Sequence, residues 1–298
     1  MAAYALPVLY ALFLWWFSTG LILWLDGRPR RTFRWSLMGA SLLAALALYG
    51  LVASSDDRSV GGSYLAFTCA LMVWGWHEIA FLMGYVTGSR RTACSEGTKG
   101  WPRFVEASQA VLHHELAIAA TGLLVLMLTW GAANQVGAWT FLLLWGMRLS
   151  AKLNLFLGVP NLSEELLPDH LRYLKSYFAR RRMNPFFPVS ITAATVVAAM
   201  LLQAALALEA EPFEVTAFTF LAALMSLALL EHWLLVLPLP DTALWGWALR
   251  SRAAEAPVAC PTRPVPGPRI NPRINPRINP RINPRINNVR VHASTEAT

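Results

Sequence analysis

Charge is scarce in this sequence. Of its 298 residues only 14% are Asp, Glu, Lys or Arg, against about 25% in an ordinary soluble domain. A soluble fold of this length would need more polar residues to cover its core. Cysteine is scarcer still: Cys69, Cys94 and Cys260 show no paired spacing. That spacing suggests neither a disulfide framework nor a thiolate metal site. No Lys or Arg precedes the first apolar block. A secretory leader carries a positive n-region and a shorter apolar core, so this block is expected to be a retained helix.

What the sequence has instead is apolar residues, 56% of the total, with a mean hydropathy of +0.43. They come in blocks long enough to cross a hydrocarbon layer of about 30 Å at about 1.5 Å per residue. The blocks predict an all-α, polytopic membrane bundle of about seven transmembrane helices. The expected spans are Tyr4–Leu25, Trp35–Ala53, Ser63–Val86, Ser108–Gly131, Gln135–Leu157, Phe187–Leu208 and Phe213–Leu237. Gly, Pro, Asn and charge clusters punctuate them. The short connection at Ala132–Asn134 predicts an antiparallel hairpin of spans four and five.

Basic residues set the expected direction. Arg28, Arg30, Arg31 and Arg34 follow span one; Arg90, Arg91, Lys99 and Arg103 follow span three; Arg172, Lys175, Arg180, Arg181 and Arg182 follow span five. The opposite loops carry Arg58 beside Asp56 and Asp57, and the acidic Glu209, Glu211 and Glu214. The positive-inside rule then predicts a periplasmic N-terminus and a cytoplasmic C-terminus. Trp15, Trp16, Trp24 and Trp35 sit near span ends, where indoles favour the interface.

The net charge of +8 is mostly one tail. From Arg250 onward nine Arg face two Glu, a balance of +7. The rest of the chain is nearly neutral, so a nucleic-acid-binding surface is not implied. From Pro268 the tetrapeptide Pro-Arg-Ile-Asn occurs five times. Proline at every fourth position prevents helix and central strand. The expected division is a transmembrane domain over 1–250 and a disordered cationic cytoplasmic tail over 251–298.

Charged side chains inside a bilayer cost about 2.5–3.5 kcal/mol each on insertion scales. This sequence keeps several. Span three carries Trp76-His77-Glu78, and span four carries His113-His114-Glu115. Span five carries Arg148, Lys152 and Asn154, and span seven Glu231-His232. The loop after span five holds Glu164, Glu165, Asp169 and His170. Counted along the helices, the intramembrane groups lie roughly 8–15 Å from the cytoplasmic boundary. Arg148 and Lys152 are four apart, on one helix face, and could neutralise Glu78 or Glu115. Lys152 could also snorkel to the surface.

Several chemistries fit such a set. The groups could pair only to fix helix packing. A neutral imidazole of His77, His113, His114 or His232 could supply an axial nitrogen to a tetrapyrrole metal, with its second nitrogen hydrogen-bonded. Carboxylate and His ligands on facing helices could hold two irons in an oxidoreductase. Here His and Glu are adjacent, about 100° apart on a helix, which disfavours shared ligation. Transport would require a repeated half or paired broken helices, and neither is evident.

The loop after span five predicts two short elements. Gly158 and Pro160 end the span. Ser163 is expected to cap a short helix bearing Glu164 and Glu165 in its first turn. A second short helix from Pro168 places Leu171, Leu174 and Phe178 on one apolar face, as an interfacial helix would.

Four stretches resemble the PuhE family of photosynthetic-complex assembly proteins of purple phototrophic bacteria. They are Trp-Gly-Trp-His-Glu-Ile-Ala-Phe at 74–81, His-His-Glu-Leu-Ala-Ile-Ala at 113–119, Trp-Gly-Met-Arg-Leu-Ser-Ala-Lys-Leu-Asn-Leu-Phe-Leu-Gly-Val-Pro-Asn-Leu at 145–162, and Asp-His-Leu-Arg-Tyr-Leu-Lys-Ser-Tyr-Phe at 169–178. The resemblance spans roughly residues 1–250 and leaves out the repeat tail. It implies a protein of the cytoplasmic membrane, inner or intracytoplasmic. Such a protein would act in forming the reaction centre and light-harvesting complexes or in bacteriochlorophyll supply. Implied partners are the lipid bilayer and reaction-centre or light-harvesting subunits or other assembly factors. An implied ligand is bacteriochlorophyll or a precursor. No established catalytic residue comes with the resemblance. The matched candidates are His77, Glu78, His113, His114, Glu115, Arg148, Lys152, Asn154, Asp169 and His170; His232 joins them from its depth alone.

Overall fold

The computed structural model describes residues 2–162, 166–237 and 244–249. Ser163, Glu164 and Glu165, and the tail 251–298 with its repeats, lie outside the described residues. The described chain is helical, with no strand among the described residues. Seven long helices run in order: α1 (Ala2–Asp26), α2 (Arg30–Ala53), α3 (Val60–Leu82), α4 (Gly100–Leu128), α5 (Val136–Leu157), α6 (Phe186–Ala205) and α7 (Pro212–Leu234). A 3-10 helix, Asp169–Tyr177, lies between α5 and α6.

Six of the seven are long and apolar enough to cross a membrane. The exception is α5, which is long enough but carries Arg148, Lys152 and Asn154 within its length. It packs among α3, α4 and α7 rather than apart from them. The bundle is built from tight α2/α3 and α6/α7 pairs, with α1 laid against α7.

α3 and α7 form the centre. Within their most apolar windows 50% and 67% of residues are buried, against 11–22% for the other four membrane-length helices. Apolar residues around the whole circumference suit a helix surrounded by others. In lipid the driving force is close packing rather than water exclusion. The interior shows it: Phe67 of α3 stacks on Phe220 of α7 at 4.3 Å between ring centroids, and the small residues Ala66 and Ala70 are buried beside them.

Helix ends differ from the expected spans for local reasons. α3 stops at Leu82 because Gly84 adopts φ +80. There the Gly84 N–H donates to the Phe81 carbonyl at 2.9 Å and the Tyr85 N–H to the Ala80 carbonyl at 2.9 Å, a Schellman closure. α4 begins at Gly100, well before Ser108, because hydropathy marks only the apolar part of a helix and Arg103 and Glu106 occupy its polar extension. At the opposite end, Asn134 ties the α4–α5 turn to the α2–α3 turn through the Ser54 and Asp57 carbonyls at 3.0 and 3.1 Å. Arg58 bridges Glu211 and Glu214 at 3.0 and 3.1 Å, joining the α2–α3 turn to the start of α7. Beside it, hydrogen bonds from Ser59 hold the Asp57 carboxyl below its usual range.

Candidate functional site

α3, α4 and α5 bring most of the intramembrane polar side chains to one seam. Glu78 of α3 accepts from the Arg148 guanidinium of α5 at 3.0 Å. Glu115 of α4 pairs with Lys152 of α5, and the Trp145 indole N–H points at the same carboxylate at 3.4 Å. The i,i+4 spacing of Arg148 and Lys152 stacks the two cations on one face, so each meets a different neighbour. The Lys152 ammonium also lies 5.9 Å from the Phe81 ring centroid.

α7 adds a third carboxylate. Glu231 accepts from the Trp15 indole N–H of α1 at 2.7 Å and lies within the field of Arg148. Glu78, Glu115 and Glu231 thus face Arg148 and Lys152. When all five are ionised one negative charge is left over. The two indole N–H groups are placed to share it. Glu231 and Trp15 are the parts a sequence reading passes over: Trp15 reads as an interfacial anchor, and Glu231 only as a neighbour of His232.

Two imidazoles are buried at this seam without partners. His77 and His114 are 1% and 0% exposed, and neither ring has a hydrogen bond at either nitrogen. His114 lies against Phe81 at 4.5 Å between centroids, and His77 lies 6.1 Å from Phe141. An unpaired buried polar group costs about 1–3 kcal/mol, so these two are the most expensive uncharged side chains in the seam. The backbone of His114 is held from outside its helix: its N–H donates to the Thr87 carbonyl at 2.8 Å. The loop can come this close because residue 88 is Gly. A Cβ there would sit 2.1 Å from the Gln109 carbonyl oxygen.

The other candidates are placed elsewhere. His113 is exposed on the outer face of α4, turned away from His114. His232 donates from Nδ1 to the Ala228 carbonyl at 2.9 Å, so its Nε2 accepts from the Ser150 hydroxyl at 3.0 Å. Both nitrogens are used to tie α7 to α5. Asn154 is buried in a separate joint, where its amide donates to Ser190 Oγ at 3.1 Å and its Oδ1 accepts from Asn184 at 3.1 Å. Asn184 also caps α6 through the N–H groups of Phe186 and Phe187 at 2.9 and 3.0 Å. Asp169 is exposed and pairs with Arg172 at 2.6 Å. His170 donates from Nε2 to the Leu82 carbonyl at 2.7 Å, docking the 3-10 helix on the end of α3.

That docking corrects one expectation. The buried stripe is Leu171, Leu174 and Tyr177, because a 3-10 helix repeats every three residues. Phe178 instead packs with Val159, Leu162 and Leu235. Tyr177 then receives a bond from Arg90 Nε at 2.8 Å, while its carbonyl accepts from Arg103 at 2.6 Å. Burial pushes the Tyr177 phenol up.

Among the described residues no three His, Cys, Asp or Glu side chains converge as metal ligands would. The facing-carboxylate di-iron arrangement therefore has no ligand set in this part of the chain. These features define a helical membrane bundle with a charged, partly unsatisfied seam between α3, α4, α5 and α7.

The chain belongs to the family described as "Protein of unknown function (DUF3623)", whose profile matches residues 1–256. It is 41% identical over 266 residues to the "Uncharacterized 30.4 kDa protein in puhA 5'region" of Rhodobacter capsulatus, covering 88% of this chain and 96% of that protein. No solved structure matches significantly.

Proposed function

We propose that this protein is an integral factor of the cytoplasmic membrane that assists assembly of the photosynthetic reaction centre and light-harvesting complexes, or supplies them with bacteriochlorophyll. The observation that carries this reading is the 41% identity, over nearly the full length, to a protein named for the puhA 5' region, a photosynthesis-operon context. The resemblance of residues 74–81, 113–119 and 145–178 to the PuhE family supports it. The asymmetry of basic loops supports an arginine-rich end in the cytoplasm.

Pigment handling within this role falls to His113. A tetrapyrrole metal takes a neutral imidazole nitrogen as axial ligand. His77 and His114 have the right chemistry and free nitrogens, but side chains cover them completely. They would accept a ligand only if α3 and α4 parted. His113 is exposed, and its neighbours Leu112 and Leu116 are 38% and 56% exposed, so a lipid-borne macrocycle reaches it without repacking. The α3–α5 and α4–α5 ion pairs then keep the scaffold in register.

Deletion of the gene in its source, followed by near-infrared absorbance of the membranes, tests the assembly role. Reduced complex absorbance, restored by the wild-type gene, is expected. Normal complexes and normal pigment in the deletion strain would refute it. Purification in mild detergent tests pigment handling separately: co-purifying pigment should be lost in His113→Leu. Pigment-free protein that takes up no added pigment would remove ligation while leaving the assembly role standing.

A further inference from the structure

A second polar site lies at the arginine-rich end, away from the ion pairs of the seam. A pocket of ≈ 340 Å³ opens between the start of α2, the end of α3 and the 3-10 helix. Arg30, Phe33, Thr87, Arg91, His170 and Tyr173 are among its walls. No carboxylate lines it among the described residues. Neither guanidinium has an ion-pair or hydrogen-bond partner among the described residues.

The hydroxyls there are unsatisfied as well. Thr87 is 1% exposed, and its Oγ1 has no hydrogen-bond partner; the Tyr173 hydroxyl is also buried without one. Arg30 opens α2, whose N-cap residue Pro29 supplies no side-chain cap. The first backbone N–H groups of a helix are a ready anion site when such donors surround them. Every unsatisfied group here can donate, and the two guanidiniums can only donate, so an acceptor with several oxygens would satisfy them together. Phe33, Met83 and Leu171 make the remaining wall apolar, which suits a head carried on an apolar body. The volume is at the small end for ligand pockets, fitting a headgroup rather than a macrocycle.

We propose that this pocket binds a phosphate group, presented by an anionic phospholipid at the membrane surface. Basic pockets between membrane helices hold lipid heads in this way. Gly84 shapes the site: at φ +80 it brings the backbone so close that a Cβ would lie 3.0 Å from the His170 ring. The loop that carries Thr87 is the one that holds His114 by its carbonyl. An occupied pocket therefore fixes the backbone position of an α4 residue at the seam. This site is independent of the pigment reading.

The test uses the full chain purified in mild detergent. Phosphatidylglycerol, phosphatidylcholine or inorganic phosphate is titrated in, and occupancy is read by native mass spectrometry. Saturable phosphatidylglycerol binding is expected. Arg30→Gln with Arg91→Gln should weaken it about thirtyfold, at about 1 kcal/mol per arginine near a lipid surface. Arg31→Gln with Arg34→Gln removes the same amount of charge from α2 outside the pocket, and should leave binding within about threefold. Thr87→Val should weaken binding without altering the thermal unfolding of the protein, separating ligand contact from folding. Saturable inorganic phosphate with no phosphatidylglycerol would keep the phosphate site but overturn the lipid as its source. Equal binding of phosphatidylcholine, or wild-type affinity in the Arg30/Arg91 variant, would overturn the site.

Discussion

Replacing Lys152 by Met should destabilise the bundle severely, and a second substitution should repair most of the damage. The ammonium pairs with Glu115 across the α4–α5 contact, and both side chains are only about one-fifth exposed, at 21% and 22%. Removing one partner of a buried pair leaves a charge uncompensated, at about 3–5 kcal/mol. Partial exposure and the remaining Trp145 bond to Glu115 argue for the lower end, about 3 kcal/mol. Glu115→Gln alone leaves the ammonium against the Phe81 ring and should cost a similar amount. In the double variant no orphan charge remains, and apolar replacement of a buried pair is often neutral. The expected coupling, the cost of the double variant less the two single costs, is therefore about 6 kcal/mol in magnitude. Equilibrium unfolding of the four proteins in mixed micelles, titrated with dodecyl sulfate, measures it. A coupling below about 0.5 kcal/mol, typical of solvent-exposed pairs, would mean that Lys152 snorkels and that the seam is not a closed electrostatic unit.

Other substitutions test the supporting structure. Asn184→Ala removes the α6 cap and the bonds to Asn154 and Gly158; a loss of about 2 kcal/mol or more is expected in the same unfolding assay. Gly88→Ala drives a Cβ into the Gln109 carbonyl, and should cost about 1–3 kcal/mol or displace the loop, read as faster proteolysis between α3 and α4. The Cys94 thiol is held above its usual range by burial first and then by the Glu106 carboxylate. Glu106→Gln removes that negative charge, lowers the thiol pKa and raises the thiolate fraction. Maleimide should therefore label the variant faster near pH 8; an unchanged or slower rate would contradict the sign.

Much of this was legible in the sequence, for definite reasons. Uninterrupted apolar length names a membrane helix, so the helices were visible. The spacing of Arg148 and Lys152 named their shared face. Their partners were less legible. Depth along each span placed Glu78, Glu115 and His114 at similar height, but height does not fix rotation about the helix axis. Rotation is what separates His114, buried at the seam, from His113, exposed one residue earlier. It also makes His232 a tie to Ser150 rather than a member of the seam. The 3-10 geometry of Asp169–Tyr177 was hidden because Tyr177 and Phe178 are both apolar and adjacent; only the hydrogen-bond pattern chooses between a three-residue and a 3.6-residue stripe. The pocket at Arg30 and Arg91 draws on α2, the 84–91 loop and the 3-10 helix. No local pattern joins segments so far apart.

Thiol cross-linking in native membranes tests most directly whether the ionisable groups meet between α4 and α5. Glu115→Cys paired with Lys152→Cys should be joined rapidly by a short bifunctional thiol reagent, while His113→Cys paired with Lys152→Cys should not. Equal cross-linking of both pairs, or of neither, would contradict a seam in which Glu115 and Lys152 face each other and His113 faces away.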